Sequence, residues 1–150
     1  MDAETCSVAR AVEILGDHWT LLVLREVFNG VRRFDDIQEH LDVSRSVLSR
    51  RLNDLVESGV LKRRPYQEPG DRVRHEYRLT EMGRGLRPVL IALMNFGDRF
   101  LAGKAGPPMI VRHGCGAPVT AELLCANEHH VTDPRELRTE PGPGARPAIA

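Results

Sequence analysis

Aromatic side chains make up only 5% of this chain of 150 residues, and cysteine occurs three times. Cys6, Cys115 and Cys125 are too few and too scattered for a disulfide framework, and an odd number leaves at least one thiol unpaired in a monomer. Long apolar runs are missing. The longest, such as Leu21 to Leu24 and Val89 to Leu93, fall far short of the roughly 20 residues that span a bilayer. Met1-Asp2-Ala3-Glu4 lacks the basic, then apolar, start of a signal peptide, so a cytoplasmic protein with no membrane partner is expected. Net charge is absent too, with 21 Lys and Arg against 21 Asp and Glu. No repeat or long low-complexity run is visible. There is no G-x-G-x-x-G, no Walker sequence, no H-E-x-x-H and no paired nucleophile and base, which argues against an enzyme and against a bound cofactor.

What is present suffices for one ordinary domain with a small appendage, since 41% of the residues are apolar. From Ser7, read as an N-cap, Val8, Ala11, Val12 and Leu15 recur at helical spacing up to Gly16. A second helix over His18 to Phe28 carries Leu21, Leu22, Leu24, Val27 and Phe28 on too wide an arc for a surface helix, which predicts the centre of the core. Asn29-Gly30 stops it. Phe34, Ile37 and Leu41 mark a short third helix, with Asp35 and Asp36 in the first turn, where carboxylates suit the helix dipole.

Residues 44 to 78 are the most informative stretch. Nine Lys and Arg outnumber five Asp and Glu here, so the basic charge is localised although the whole chain is neutral. Ser44 caps a fourth helix whose apolar stripe is Val47, Leu48, Leu52, Leu55 and Val56, ending at Gly59. Arg45, Ser46, Ser49, Arg50 and Asn53 remain outside, as a helix entering a major groove requires, because Arg donates bidentate pairs to guanine and Ser reaches phosphates or bases. Arg51 is expected to pack partly against the domain. Two β-compatible segments follow, Val60 to Tyr66 and Val73 to Leu79, around a loop from Gln67 to Arg72. Arg72 and Arg74 at the hairpin suit phosphate contact, while Glu68 and Asp71 oppose it. The expected fold is mainly α with a small β-wing, a winged helix-turn-helix that binds double-stranded DNA. The alternative is a winged-helix docking module for proteins, which would not need Arg45, Arg50, Lys62, Arg63 and Arg64.

One last long helix is expected from Thr80 to Leu101, kinked or broken by Pro88 and Gly97. Leu86, Val89, Leu90, Leu93, Met94, Phe96, Phe100 and Leu101 make it broadly apolar after the small core is complete. A homodimer covers such a surface and places two recognition helices on a palindrome one turn of DNA apart.

Taken together, Cys6, Gly16-Asp17-His18-Trp19-Thr20, Leu24-Arg25-Glu26, Arg33-Phe34, Ser44 to Leu48 with Leu52, Gly59-Val60-Leu61 and Tyr77-Arg78-Leu79-Thr80-Glu81-Met82-Gly83 resemble the HxlR-type regulators over about residues 6 to 100. These are bacterial winged helix-turn-helix transcription factors of MarR-like architecture. The resemblance implies a dimer through the first and last helices, binding an inverted repeat near its own or a neighbouring gene; repression is expected, although the resemblance itself does not distinguish it from activation. It also implies a redox or electrophile sensor at Cys6, since a cysteine at that position serves so in several members. A helix N-terminus favours the thiolate; Arg10 adds a positive charge and Glu4 opposes it. A structural role for Cys6 at a dimer interface is the other reading. His18 and Trp19, with Phe96 and Phe100, are candidates to line a small-ligand pocket, with core packing the simpler job for Trp19.

Residues 1–103 are thus read as the DNA-binding and dimerisation domain, 104–140 as a hairpin-like extension, and 141–150 as a disordered tail rich in Pro and Gly. In the extension, Met109 to His113 and Val119 to Leu124 read as short strands. A zinc site wants four ligands. His113-x-Cys115 pairs too tightly, although Cys125 and His129 are acceptably spaced. Tails of similar proteins carry Cys-Gly and then Cys-x-x-Cys-Gly, whereas Cys125-Ala-Asn-Glu128 lacks a cysteine. No metal is assigned, and Cys115 and Cys125 facing each other, or forming a reversible thiol pair, stay open.

Overall fold

A computed structural model of the chain describes residues 6–145. It comprises two compact units, divided at Arg87 and Pro88. The first contains α1 (Ser7–Leu15), α2 (His18–Phe28), α3 (Phe34–Leu41), α4 (Arg45–Glu57), β1 (Leu61–Tyr66), β2 (Arg74–Leu79) and α5 (Glu81–Arg84). Its core is made by Val23, Leu24 and Val27 of α2, Ile37 of α3, Val43 in the turn that follows, Leu48, Leu52 and Leu55 of α4, and Val60, Leu61 and Tyr77 around the hairpin. Each such side chain contributes roughly 1.5–3 kcal/mol by leaving water. The predicted helix α2 is therefore central, but through Val23 rather than Leu21, Leu22 or Phe28, which are half-buried.

Local chemistry explains the boundaries. Cys6, not Ser7, is the N-cap of α1, and its side chain makes no capping hydrogen bond. Asp17 caps α2, its carboxylate accepting from the Trp19 and Thr20 amides at 2.9 and 3.3 Å. Asp42 ends α3 in the left-handed region at φ 47°, and Ser44 opens α4 by accepting from the Val47 amide. Gly59, at φ 77°, turns the chain out of α4 toward β1, where a side chain would be strained.

The strands pair antiparallel, with Leu61 opposite Leu79 and Tyr66 opposite Arg74. Pro65 lies inside β1, opposite His75. The reason is position: Arg33 bridges Glu76 and the Tyr77 amide donates to the Arg32 carbonyl at 2.8 Å, so β2 is flanked on both sides and β1 is the edge, where proline is tolerated.

The single helix expected over Thr80 to Leu101 is two. Thr80 caps α5, its hydroxyl accepting from the Gly83 amide while lying 2.6 Å from the Gly59 carbonyl and 3.1 Å from that of Val60. The break falls at Gly85-Leu86, and α6 (Arg87–Phe100) then takes Pro88 in its first turn, where a missing amide hydrogen costs nothing. Gly97 leaves α6 continuous, its carbonyl accepting from Leu101 and Ala102.

The second unit contains most of α6 and the extension, and none of its described side chains is buried. The expected strand pair over 109–124 is reduced to one bridge, Arg112 to Pro118. It closes through His113 amide to Ala117 carbonyl, Gly116 to His113 and Val119 to Val111. The same three bonds recur further on as Cys125 to His129, Glu128 to Cys125 and Val131 to Leu123, with a Leu124–His130 bridge. A structural repeat is therefore present that the side chains conceal: Gly116 at φ 90° and Glu128 at φ 62° occupy equivalent left-handed positions. A short 3-10 turn follows at Pro134–Glu136. Of the tail from Pro141, a Gly142–Ala145 turn is described and residues 146–150 lie outside the described residues, as do Met1 to Glu4.

Candidate nucleic-acid interface

The α3–α4 pair with the β1–β2 hairpin forms a winged helix-turn-helix. Helix α4 buries Leu48, Leu52 and Leu55, which turns Arg45, Ser46, Ser49 and Arg50 to solvent. This follows from periodicity: residues three and four apart share a face, so the apolar stripe and the polar one exclude each other. Ser46 Oγ lies 3.2 Å from Ser44 Oγ, while Arg50 has no ion pair among the described residues.

The other sequence candidates are tied into the protein to different degrees. Arg45 places its guanidinium 4.7 Å from the centre of the Phe34 ring and 3.5 Å from the Asp35 carboxylate. Arg74, from β2, reaches the other oxygen of that same carboxylate at 3.4 Å. Asn53 is half-buried, and its Oδ1 accepts a hydrogen bond from the Arg63 guanidinium of β1, which ties that oxygen to the wing. Arg72 at the hairpin tip is exposed and without an ion pair among the described residues. Arg51 is 21% exposed and bridges Asp17 and Asp54 at 3.4 and 3.1 Å, the inward packing that its position suggested.

Several fastenings carry no obvious sequence signal because their partners are far apart in the chain. Arg33 pairs with Glu68 at 2.7 Å and stacks over Tyr66 at 4.7 Å, anchoring the hairpin loop to the segment before α3. Glu26 of α2 is buried and bonds Arg25 at 2.6 Å and His40 of α3 at 2.9 Å. Burial pushes its carboxyl up, but the hydrogen bonds from His40 and Arg25 outweigh that and hold it below the ordinary carboxylate value.

Cys6 is half-exposed at the start of α1, and Glu4 lies outside the described residues. In the first unit the rings of His18 and Trp19 lie tilted to each other with centres 4.6 Å apart, His18 exposed and Trp19 half-buried. In the second, Phe96 and Phe100 pair at 5.1 Å and are 56% and 61% exposed. Cys115 and Cys125 are exposed free thiols. Among the described residues no group of three or more His, Cys, Asp or Glu side chains is placed to hold a metal ion, and no helix is long and apolar enough to cross a membrane.

The family model for the HxlR-like helix-turn-helix matches residues 14–105. An HTH-type transcriptional regulator of Mycobacterium bovis is 45% identical over 145 residues, covering 96% of this chain and 90% of the relative. Among solved structures, the proposed transcription factor PA1607 superposes with a TM-score of 0.79 at 30% identity, over 90% of this chain and 94% of that one. The reduced form of the transcriptional regulator YodB from Bacillus subtilis gives 0.54 at 28% identity, over 67% of this chain and 97% of that one. A helix-turn-helix framework with an exposed basic helix and a wing, matched along most of its length by transcriptional regulators rather than enzymes, leads to one assignment: the chain belongs to the HxlR-like helix-turn-helix family of transcriptional regulators.

Proposed function

We propose that the protein is a dimeric repressor that binds an inverted-repeat operator and releases it on a chemical signal. The observation that carries this reading is the solvent face of α4, where Arg45, Ser46, Ser49 and Arg50 stand together on a helix whose opposite stripe is locked in the core. Arg50 reads a base in the major groove; Arg72 and Arg74 neutralise phosphates beside it. Affinity then falls steeply with salt, because each neutralised phosphate releases counterions. The exposed apolar side chains of α1 (Val8, Val12) and of α6 (Val89, Leu93, Phe96, Phe100) are the surfaces that a second copy covers. Residues 1–103 carry both recognition and dimerisation.

The signal is thiol oxidation or electrophile attack at Cys6. Two facts support it: Cys6 is accessible at the start of α1, and the neighbour YodB has been solved in reduced and in diamide-treated form. A small ligand beside His18 and Trp19 or Phe96 and Phe100 is the second route. Fluorescence anisotropy with the DNA flanking the protein's own gene, against a scrambled duplex, tests both. Selective binding lost on adding diamide, and retained by Cys6→Ser, is the expected result. Selective binding that diamide leaves untouched would transfer the signal to a ligand, and equal affinity for both duplexes would make the fold a protein-docking module.

A further inference from the structure

Asp35 stands out because it is an acid on the face offered to an anion. It lies in the first turn of α3, exposed, with Oδ1 3.5 Å from Arg45 of α4 and Oδ2 3.4 Å from Arg74 of the wing. No other described carboxylate pairs with an arginine of α4 and one of β2 at once. The Phe34 ring makes a second contact with the same Arg45 guanidinium, which lies 4.7 Å from the ring centre. Exposed pairs of this kind add little to stability, so a role in holding the fold together is a weak explanation for the arrangement.

We infer that Asp35 is a specificity-determining residue, an internal stand-in for a DNA phosphate that holds Arg45 and Arg74 in register and must be displaced before either touches the backbone. This rests on the DNA-binding role given to those two arginines above. The physical consequence is a difference between duplexes. On random DNA the two arginines reach phosphates only by giving up the Asp35 pairs and by bringing a carboxylate close to phosphates, which repel it. On its operator the base contacts of α4 hold Arg45 in the orientation that Asp35 already sets, so less of that loss is incurred there, and an arginine already oriented loses less freedom on binding. Asp35 thus penalises wrong sites more than the right one.

The test uses the full chain and two fluorescent probes, a random-sequence duplex and a duplex selected by the wild-type protein from a random pool. Asp35→Asn is expected to bind the random duplex about 3-fold or more tighter at low salt, the effect of removing one unit charge near a phosphate. Its salt dependence steepens by up to about 0.9 in log–log slope for each further phosphate neutralised, and its preference for the selected duplex shrinks by the same factor as the random-duplex affinity rises. Asp35→Ser, also suited to a first turn, shows the same changes if Asp35→Asn folds poorly. Glu57→Gln removes an equal charge at the far end of α4 and leaves the preference unchanged. Unaltered affinity and slope in Asp35→Asn and Asp35→Ser, or an equal rise in Glu57→Gln, overturns the role of Asp35 while leaving the regulator intact. A wild-type protein that binds no duplex overturns the DNA-binding role and this inference with it.

Discussion

Arg50 and Arg51 are neighbours with opposite fates. The helix turns about 100° per residue, so one side chain points to solvent and the other into the gap between Asp17 and Asp54. Arg50→Ala is expected to lose about 1–3 kcal/mol on the selected duplex if Arg50 pairs with guanine, and much less on random DNA. Anisotropy on both duplexes measures it, and equal losses would make Arg50 a phosphate contact. Glu26 shows what a buried acid adds. Its folded-state carboxyl sits below the ordinary value of 4.5, so its contribution is complete above that value and disappears as pH falls through the lower, folded one. Thermal unfolding of the wild type should therefore shift downward more steeply than that of Glu26→Gln below about pH 4.5. Parallel curves for the two proteins would deny Glu26 this role. Both Arg50 and the apolar stripe behind it were legible from spacing alone. The Glu26–His40 pair was not, since nothing in a linear pattern announces that α2 and α3 bring these two side chains together.

At the scale of elements, the distances between turns decide more than helix propensity does. Gly83 of α5 is buried, and a Cβ there would meet the Val60 carbonyl oxygen at 2.2 Å. Helix α5 can lie against the start of the hairpin only because that atom is missing. Gly83→Ala is expected to cost on the order of 1–3 kcal/mol or more, because backbone cannot move aside as a flexible side chain would. Urea unfolding checks it, and a change under half that lower bound would mean that α5 shifts freely. The sequence led to one long helix because Thr80 to Leu101 keeps an apolar period. The break came two residues before the expected proline, where Leu86 bonds back three residues to the Gly83 carbonyl instead of four and Pro88 serves the next helix as a start. In β1, Pro65 persisted because the strand is an edge, a property of sheet order that no single strand contains.

For the molecule as a whole, apolar side chains outnumber the places in one small core. On α6, Phe96 and Phe100 are more than half exposed, and Val8 on α1 is 70% exposed. Patches of this kind mark a partner surface in proteins that stay soluble. Phe96→Glu with Phe100→Glu should convert a dimer to a monomer in sedimentation velocity and weaken binding to an inverted repeat far more than to a single half-site. A double variant that sediments as a dimer would place the interface elsewhere. The extension contributes differently. Its repeated turns are held by backbone bonds and by the Ala121 amide on Asn95 of α6, with no buried side chain of their own.

The sequence by itself determined the first four helices and the wing, the stripe that becomes core and the basic face left outside it, because periodicity and caps act over a few residues. Tertiary structure alone decided which charges are free. Arg45 read from the sequence as part of the same exposed face as Arg50, and Arg74 as a phosphate contact of the wing, yet both are engaged by Asp35 from another element, and the neutral Asn53 is engaged by Arg63. It also joined Glu26 to His40. The physical reason is common to all of these. An ion pair or hydrogen bond acts over about 3 Å in space, and only the folded chain sets which residues, distant in sequence, come that close.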